Sequence, residues 1–559
     1  MSDWIDAPSA ADDERAHPTG PRLRWQLILL GVGLVLIALA GLFFLLGGQP
    51  EETPPDIAAA DEQVYREAVV GQPQFVNPLL ATTQADRDLS ALVFSGLTRL
   101  DAYGQPVPDL AESWEVSRDG LTITFRLRPD ATWHDGEPVT AEDAAFTFAL
   151  LRDPDFPGPP ERAAFWRTVE VYADDERTVR FVLTQPLSAF PEYAGIGLLP
   201  EHWLAGVDAA GLTEDPFNLD PIGSGRLDWM GISQEGGVTS VHLAPYAGYY
   251  DDERAVGLEA VYLDFYQDGA RAFAALGPDA QGLGGLTESQ REAVFDSPQL
   301  NVYMARMPAF GAVIFNQQSS DVSFFQQEEV RTALLVGLDR TALLREAGGA
   351  AVLADSPILP GMWAYNAQLP ALVQDADLAA SQLEQAGETL SFTLLALDDP
   401  FTDRLARGIR DQWRDLGVDV DVRTVDAETL IERLQDGDFD AALVEFNQGG
   451  IADPDPYAFW HESQIEAGQN VSGFVDRDIS EVIEIARRDP NGVRRAELYR
   501  DFQRYFIERG AAIPLYNPVY TYAVSCQVEG VQLHLLTGPA DRFRSLHMWR
   551  IAEGLECGP

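Results

Sequence analysis

Lysine is absent from this 559-residue chain: all 39 basic residues are arginine, set against 88 aspartates and glutamates for a net charge of −49. So acidic a surface repels nucleic acid and anionic membranes, and neither is expected as a partner. The plain reading is a solvated, soluble surface. A sharper one is adaptation to high salt, where screening quiets self-repulsion; base composition alone also removes lysine, so both stay open. Cysteine is nearly missing, with only Cys526 and Cys557. They either pair, closing a loop that contributes roughly 3–4 kcal/mol on chain-entropy grounds, or stand as two free thiols. Histidine is sparse. His17, His134, His202, His242, His461, His534 and His547 are scattered, none at paired metal-ligand spacing. No Gly-x-Ser-x-Gly elbow and no His-Glu-x-x-His helix occurs. Catalytic residues, a metal and a cofactor are therefore not expected. A carboxylate pair brought together in space keeps an extracellular hydrolase as the alternative from another class.

The length exceeds what one core supports, so several domains are expected. An apolar share of 46% is ordinary for globular protein. Residues 1–24 form a polar tail, predicted to be cytoplasmic. Residues 25–46 are 22 almost wholly apolar positions, with Gln26 the only strongly polar side chain. That is enough for one bilayer crossing. Arg15, Arg22 and Arg24 precede the run, and Glu51, Glu52 and Asp56 follow it. The positive-inside rule then places the rest of the chain outside the cell, as a single-pass membrane protein. A cleaved signal peptide is the rival, with a shorter apolar region as its usual mark. No cysteine follows the run, which argues against a lipoprotein anchor. Residues 47–62, rich in proline and acids, read as a linker.

Alternation marks a hairpin at Trp114 and Val116, then Leu121, Ile123, Phe125 and Leu127, turned at Asp119-Gly120. Thr140 to Asp143 reads as a capping-box helix start. Val179 to Leu183, Val241 with Leu243, and Val261 to Phe265 are further strands, and Gly282 to Gly285 marks a loop. Beyond Met307 the pattern becomes α/β. Strands at 310–316, 390–394, 418–422 and 441–446 alternate with helices, including an amphipathic one over VRTALLVGLDRTALL and one at 405–416 ended by Gly417. Such repetition predicts a largely parallel sheet.

The wording of 110–148, LAESWEVSRDGLTITFRLRPDATWHDGEPVTAEDAAFTF, resembles the signature of the family 5 extracellular solute-binding proteins, the dipeptide- and oligopeptide-type receptors of ABC importers. YREAVVGQPQFVNPLL, LTQPLSAFPEY, the turn Ile222-Gly223-Ser224-Gly225, VRTALLVGLDRTALL and AAIPLYNPVYTYAV extend the resemblance to the C-terminus. Arg226 stands where that turn usually has proline. The resemblance implies an α/β, two-lobed, periplasmic-binding-protein-like clamp (type II, cluster C) with an extra subdomain. Lobe one would hold 63–94, 201–305 and 515–559, the family insert 95–200, and lobe two 306–514. It further implies a monomer that carries an oligopeptide or other small solute to ABC permease subunits. Those partners supply the ATP step, and this chain holds no cofactor. A tethered sensor or adaptor of the same fold is the alternative.

The turn after the strand at 441–446 is the best candidate site. It begins Asn447-Gln448-Gly449-Gly450-Ile451-Ala452-Asp453-Pro454-Asp455. Ligands of open α/β sheets sit beyond the carboxyl ends of strands, and two glycines let backbone approach a ligand closely. The resemblance assigns Asp453 the peptide's α-ammonium, with Asn447, Gly450 and Ile451 beside it, and leaves Asp455 to shape the turn. Peptide binders of the family often carry Trp where Gly450 stands, so an aromatic wall is missing here. Asn316 near the hinge, Tyr516 where the chain crosses back, and Asn77 in the first lobe's turn complete the candidates.

Overall fold

The computed structural model describes residues 63–387, 389–447, 451–552 and 557, all within one unit, Pro54–Pro559. The apolar run at 25–46 lies outside the described residues. Among the described residues no helix is long and apolar enough to cross a membrane.

One strand, Ile513–Ser525, belongs to both halves of the molecule. Its start pairs with Ala309–Phe315, antiparallel, through Val313↔Ile513, Ala312↔Pro514 and Gly311↔Tyr516. Its end pairs with Leu300–Arg306, from Arg306↔Val519 to Leu300↔Ser525, and with Gly282–Gly284. The partner chain changes halves at Met307-Pro308, beside Asn517-Pro518. A proline has no N–H to give a ladder, so both segments lose pairing at the same level. Two bonds hold the level together: Met307 N–H donates to the Pro518 carbonyl at 2.9 Å, and Asn517 Nδ2 to the Ala309 carbonyl at 3.0 Å. Two neighbouring crossings with a local break in the ladder are what a hinge requires.

In the first lobe, Val64–Val70 runs parallel to Ala260–Tyr266, which continues antiparallel into Val238–Pro245 and Leu227–Glu235. A separate four-stranded antiparallel sheet carries the hairpin Ala111–Val116 and Thr122–Leu127, followed by Thr178–Leu183 and Val169–Asp175. Phe125, Phe148 and Phe181 are buried between this sheet and the helix Ala141–Arg152, with edge-on ring pairs at 5.5 Å and 5.1 Å. Asp143 fixes the helix start, accepting from Thr140 N–H at 2.8 Å and from Glu201 N–H at 2.8 Å. Deeper in the lobe, the Arg542 guanidinium grips Asp88 at 2.6 Å and Glu67 at 2.8 Å, tying the C-terminal segment to the first strand. Cys526 and Cys557 are joined by a disulfide, their Cα atoms 6.0 Å apart.

The second lobe's sheet runs in the order Asp419–Val425, Ser391–Leu397, Ala441–Asn447, Ala309–Phe315. The first three are parallel, and Ala309–Phe315 joins antiparallel. All seven residues of Ala309–Phe315 are buried, because helices cover both faces of the sheet. Trp413 and Phe325 lie in the core on one side, Phe502 and Phe506 in the core on the other.

Three local readings change. The hairpin turn is a four-residue loop: Ser117 N–H donates to the Thr122 carbonyl, and Asp119 accepts from Leu121 N–H. The long helix expected over VRTALLVGLDRTALL is two, Glu328–Val336 and Arg340–Ala347, because Asp339 caps the second by accepting from Ala342 N–H at 2.9 Å. Gly282–Gly284 is a strand rather than a loop. A Cβ at Gly282 would strike the Tyr65 hydroxyl and one at Gly284 the Tyr520 hydroxyl, so glycine at those two positions lets this strand slot between its neighbours.

Candidate functional site

The strand Ala441–Asn447 ends beside the groove between the lobes, and the chain resumes at Ile451 after 448–450, which lie outside the described residues together with the candidate Gly450. Asn447 closes the strand opposite Ala309, and Ile451 leads into Ala452 and Asp453. Asp453 is only 6% exposed. Its Oδ2 accepts from Arg495 Nη2 at 2.6 Å, while Oδ1 is buried with no partner among the described residues.

Arg495 comes from the helix Gly492–Glu508 and is fixed on every side. Its Nε donates to the Ala486 carbonyl at 2.9 Å, and its guanidinium lies 5.0 Å from the Trp363 ring and 5.6 Å from that of Tyr499. Cation–π contact with two rings leaves it little freedom to swing away. Asp455 accepts from Tyr457 N–H at 3.0 Å and pairs with Arg487 at 3.1 Å; burial pushes its carboxyl up to about 6, against the pull of Arg487.

The first lobe reaches this loop through Glu192. Its carboxylate accepts from the N–H groups of Ala452 and, at 3.0 Å, Asp453. Burial pushes Glu192 up to about 8; the Asp453 charge adds to that, and the two N–H donors oppose it. Nearby, Ser188 donates from Oγ to the Asp489 carbonyl at 2.8 Å and from N–H to the Arg487 carbonyl at 3.0 Å. These bonds cross from the part of the first lobe that carries the four-stranded sheet to the second lobe.

Between the two sides lies a cavity of about 380 Å³. Trp114, Arg118 and Glu192 line it from one lobe, Trp363, Asp453, Arg488 and Arg495 from the other. Aromatic surface is therefore present, supplied by Trp114 and Trp363 rather than at position 450. The geometry can hold a small molecule by polar side chains and flat apolar walls. Among the described residues no group of three or more His, Cys, Asp or Glu is placed to hold a metal.

Of the other sequence candidates, none lines this cavity. Asn316 is 3% exposed and spends its side chain internally, donating to the Gly437 and Phe439 carbonyls and accepting from Gln318 and Ser319 N–H. Tyr516 donates to Glu445 at 3.3 Å under the Phe401 ring. Asn77 accepts from Leu79 N–H at 3.0 Å and shapes its own turn. Sequence reasoning missed Glu192, Trp363 and Arg495. Glu192 sits inside the LTQPLSAFPEY motif, which was a usable signal; Arg495 lies 42 residues from Asp453, and no local spacing connects them.

This geometry has close relatives. The chain is 24% identical over 507 residues to the dipeptide-binding protein of Escherichia coli K12, covering 82% of this chain and 90% of that protein. It is 23% identical over 513 residues to the oligopeptide-binding protein AppA of Bacillus subtilis 168, covering 87% and 91%. Among solved structures, that of HbpA2 from Haemophilus parasuis superposes with a TM-score of 0.77 at 20% identity, covering 87% of this chain and 99% of that one. Residues 105–468 match the model of the bacterial extracellular solute-binding proteins, family 5, middle region. This two-lobed chain, with a cavity between its lobes, thus belongs to the family 5 bacterial extracellular solute-binding proteins.

Proposed function

We propose that this chain captures a peptide-like solute in the cavity between its lobes and delivers it to the permease subunits of an ABC importer. One observation carries the reading: the Asp453 carboxylate and the indole walls of Trp114 and Trp363 line a cavity of about 380 Å³ to which both lobes contribute. The peptide-binding relatives support the solute class. The lobes divide at the paired crossings, giving 63–94, 201–305 and 515–559 against 306–514, with 95–200 as the insert that brings Glu192. The apolar run at 25–46 supports a single membrane tether that leaves the binding part outside the cell.

Native mass spectrometry of the purified chain identifies what co-purifies, and calorimetry with that solute follows. Asp453→Ala is expected to weaken binding by about tenfold or more, since a charge-assisted bond is lost. Unchanged affinity would remove Asp453 from the site.

A further inference from the structure

Away from the solute cavity, in the core of the first lobe, Glu67 meets two hydroxyls at once. Its Oε2 accepts from the Tyr522 hydroxyl at 2.7 Å and from the Tyr65 hydroxyl, and those two hydroxyl oxygens are themselves 2.6 Å apart. Three oxygens thus make three mutual contacts at hydrogen-bonding distance. Each contact needs a proton of its own, since two oxygens this close without one meet lone pair to lone pair. The tyrosines supply two protons, and burial beside a carboxyl keeps both on the phenol oxygens. An ionised Glu67 supplies none, so one side of the triangle would have no hydrogen bond. A protonated Glu67 supplies the third, and each oxygen then donates once and accepts once around a closed triangle.

The charges around it give the same count. Arg542 lends Nη1 and Nη2 to the two oxygens of Asp88, at 2.8 and 2.6 Å, and Nε to Glu67 Oε1 at 2.8 Å. One guanidinium therefore faces two carboxyl groups, and the side chains of Arg542, Glu67 and Asp88 are 3%, 0% and 0% exposed. Two ionised acids would leave a net negative charge sealed from water, at a cost greater than that of binding a proton. Asp88 takes both arms of the guanidinium fork, while Glu67 has the triangle that lacks a proton, so the proton belongs on Glu67. The groups facing Glu67 come from four elements: Tyr65 from its own strand Val64–Val70, Tyr520 and Tyr522 from Ile513–Ser525, Asp88 from the helix Gln84–Val93, and Arg542 from Pro539–Met548. Gly282, where a Cβ would meet the Tyr65 hydroxyl and Glu67 Oε2, adds no titratable group.

We infer that Glu67 is a neutral carboxylic acid in the folded chain at neutral pH, and that its proton fastens the first strand, the crossing strand and the C-terminal segment to one another. The first lobe thus carries a pH-sensitive lock of its own. All its members lie within that lobe, so movement of the jaws leaves it intact, and its failure would leave the solute-capture reading standing. Burial pushes the Glu67 carboxyl up against the pull of Arg542 and both hydroxyls, in the direction the proton count requires. The same acid has an ordinary value of 4.5, so folding above that pH takes up a proton. The stability it contributes is whole below about 4.5 and declines as pH rises toward the folded value.

The test is urea unfolding of the full chain in detergent, followed by tryptophan fluorescence, with Glu67→Gln beside the wild type. Glutamine is neutral at every pH and keeps a carbonyl for Arg542. The folding constant of the wild type relative to the variant is expected to fall about tenfold per pH unit between about 5 and about 7. Glu192 and Asp455, also raised by burial, are common to both proteins and cancel in the ratio. A ratio that stays level over that range, as for a Glu67 that is ionised and merely structural, overturns the inference. Should Glu67→Gln fail to fold, neutron diffraction from deuterated wild-type crystals at neutral pH decides. Three deuterons in the triangle support the inference; two overturn it.

Discussion

Two carboxyl groups meet where the lobes touch, and their surroundings make them opposites. Asp453 has a guanidinium at 2.6 Å; Glu192 has only the backbone N–H groups of residues 452 and 453. Burial therefore lifts Glu192 from 4.5 to about 8. The groups facing it are Asp453 and Arg495, with Asp455, Arg487 and Tyr193 behind them. An acid whose pKa rises on burial binds a proton that the open form releases. Closure is thus fully favoured below about 4.5, loses stability as pH rises toward 8, and levels off above that. Solute affinity should fall over this window and then hold constant. Asp455, held at about 6, has the same sign but acts lower, so the stretch from 6 to 8 belongs to Glu192. Glu192→Gln, which cannot titrate, should flatten that stretch in calorimetric titrations. A wild-type affinity that does not change from 6 to 8 would show that Glu192 stays ionised on closure.

Among elements, the turn at residues 101–105, between Thr98–Leu100 and Pro106–Pro108, reaches Ala452 in the opposite lobe. Asp101 Oδ1 builds it by accepting from Tyr103 N–H at 2.8 Å and Gln105 N–H at 2.9 Å. Gly104 sits at φ +77°, and a Cβ there would lie 2.8 Å from the Ala452 Cβ and from Leu535 Cδ2. Leu535 can rotate aside; the Ala452 methyl is fixed to the backbone of the loop that bears Asp453. Gly104→Ala should therefore hold the jaws apart, weakening solute binding severalfold. Strain in the turn itself adds about 1–2 kcal/mol, so the melting temperature should fall only modestly. Unaltered affinity in a folded variant would mean the turn does not seal the cavity. Elements of this kind were the hardest to read in advance. Strands such as Thr122–Leu127 and the helix Pro400–Asp415 announce themselves by period, and Gly417, at φ +83°, ends the latter. Gly282–Gly284 carries a single side chain, that of Leu283, which makes no alternation, so its pairing is invisible until Tyr65 and Tyr520 are placed beside it. The apolar spacing of VRTALLVGLDRTALL runs across Leu338, and only the Asp339 cap reveals the break. The loop bearing Asp453 was legible because it follows a strand's carboxyl end; its partners Glu192 and Arg495 are brought by long-range packing, which local periodicity does not encode.

At the scale of the whole molecule, the net charge of −49 sets how the chain responds to salt. With 88 acids against 39 arginines, the charged side chains are predominantly of one sign. Their repulsion favours the expanded chain, in which the charges stand farther apart. The screening length falls from about 10 Å at 0.1 M to about 3 Å at 1 M, so added salt relieves that repulsion in the folded state most. Exposed ion pairs, such as Arg407 with Asp403 and Arg504 with Glu508, weaken in the same salt. Each is worth only about 0–1 kcal/mol, so their loss is the smaller effect. The buried pairs, Arg542 with Asp88 and Arg495 with Asp453, are largely shielded from the change. The sum has a definite sign: the thermal midpoint should rise as sodium chloride goes from about 0.1 to about 1 M, followed by circular dichroism at fixed pH. A midpoint that falls over that range would mean that the surface ion pairs outweigh self-repulsion, and that the missing lysines carry no adaptation to salt.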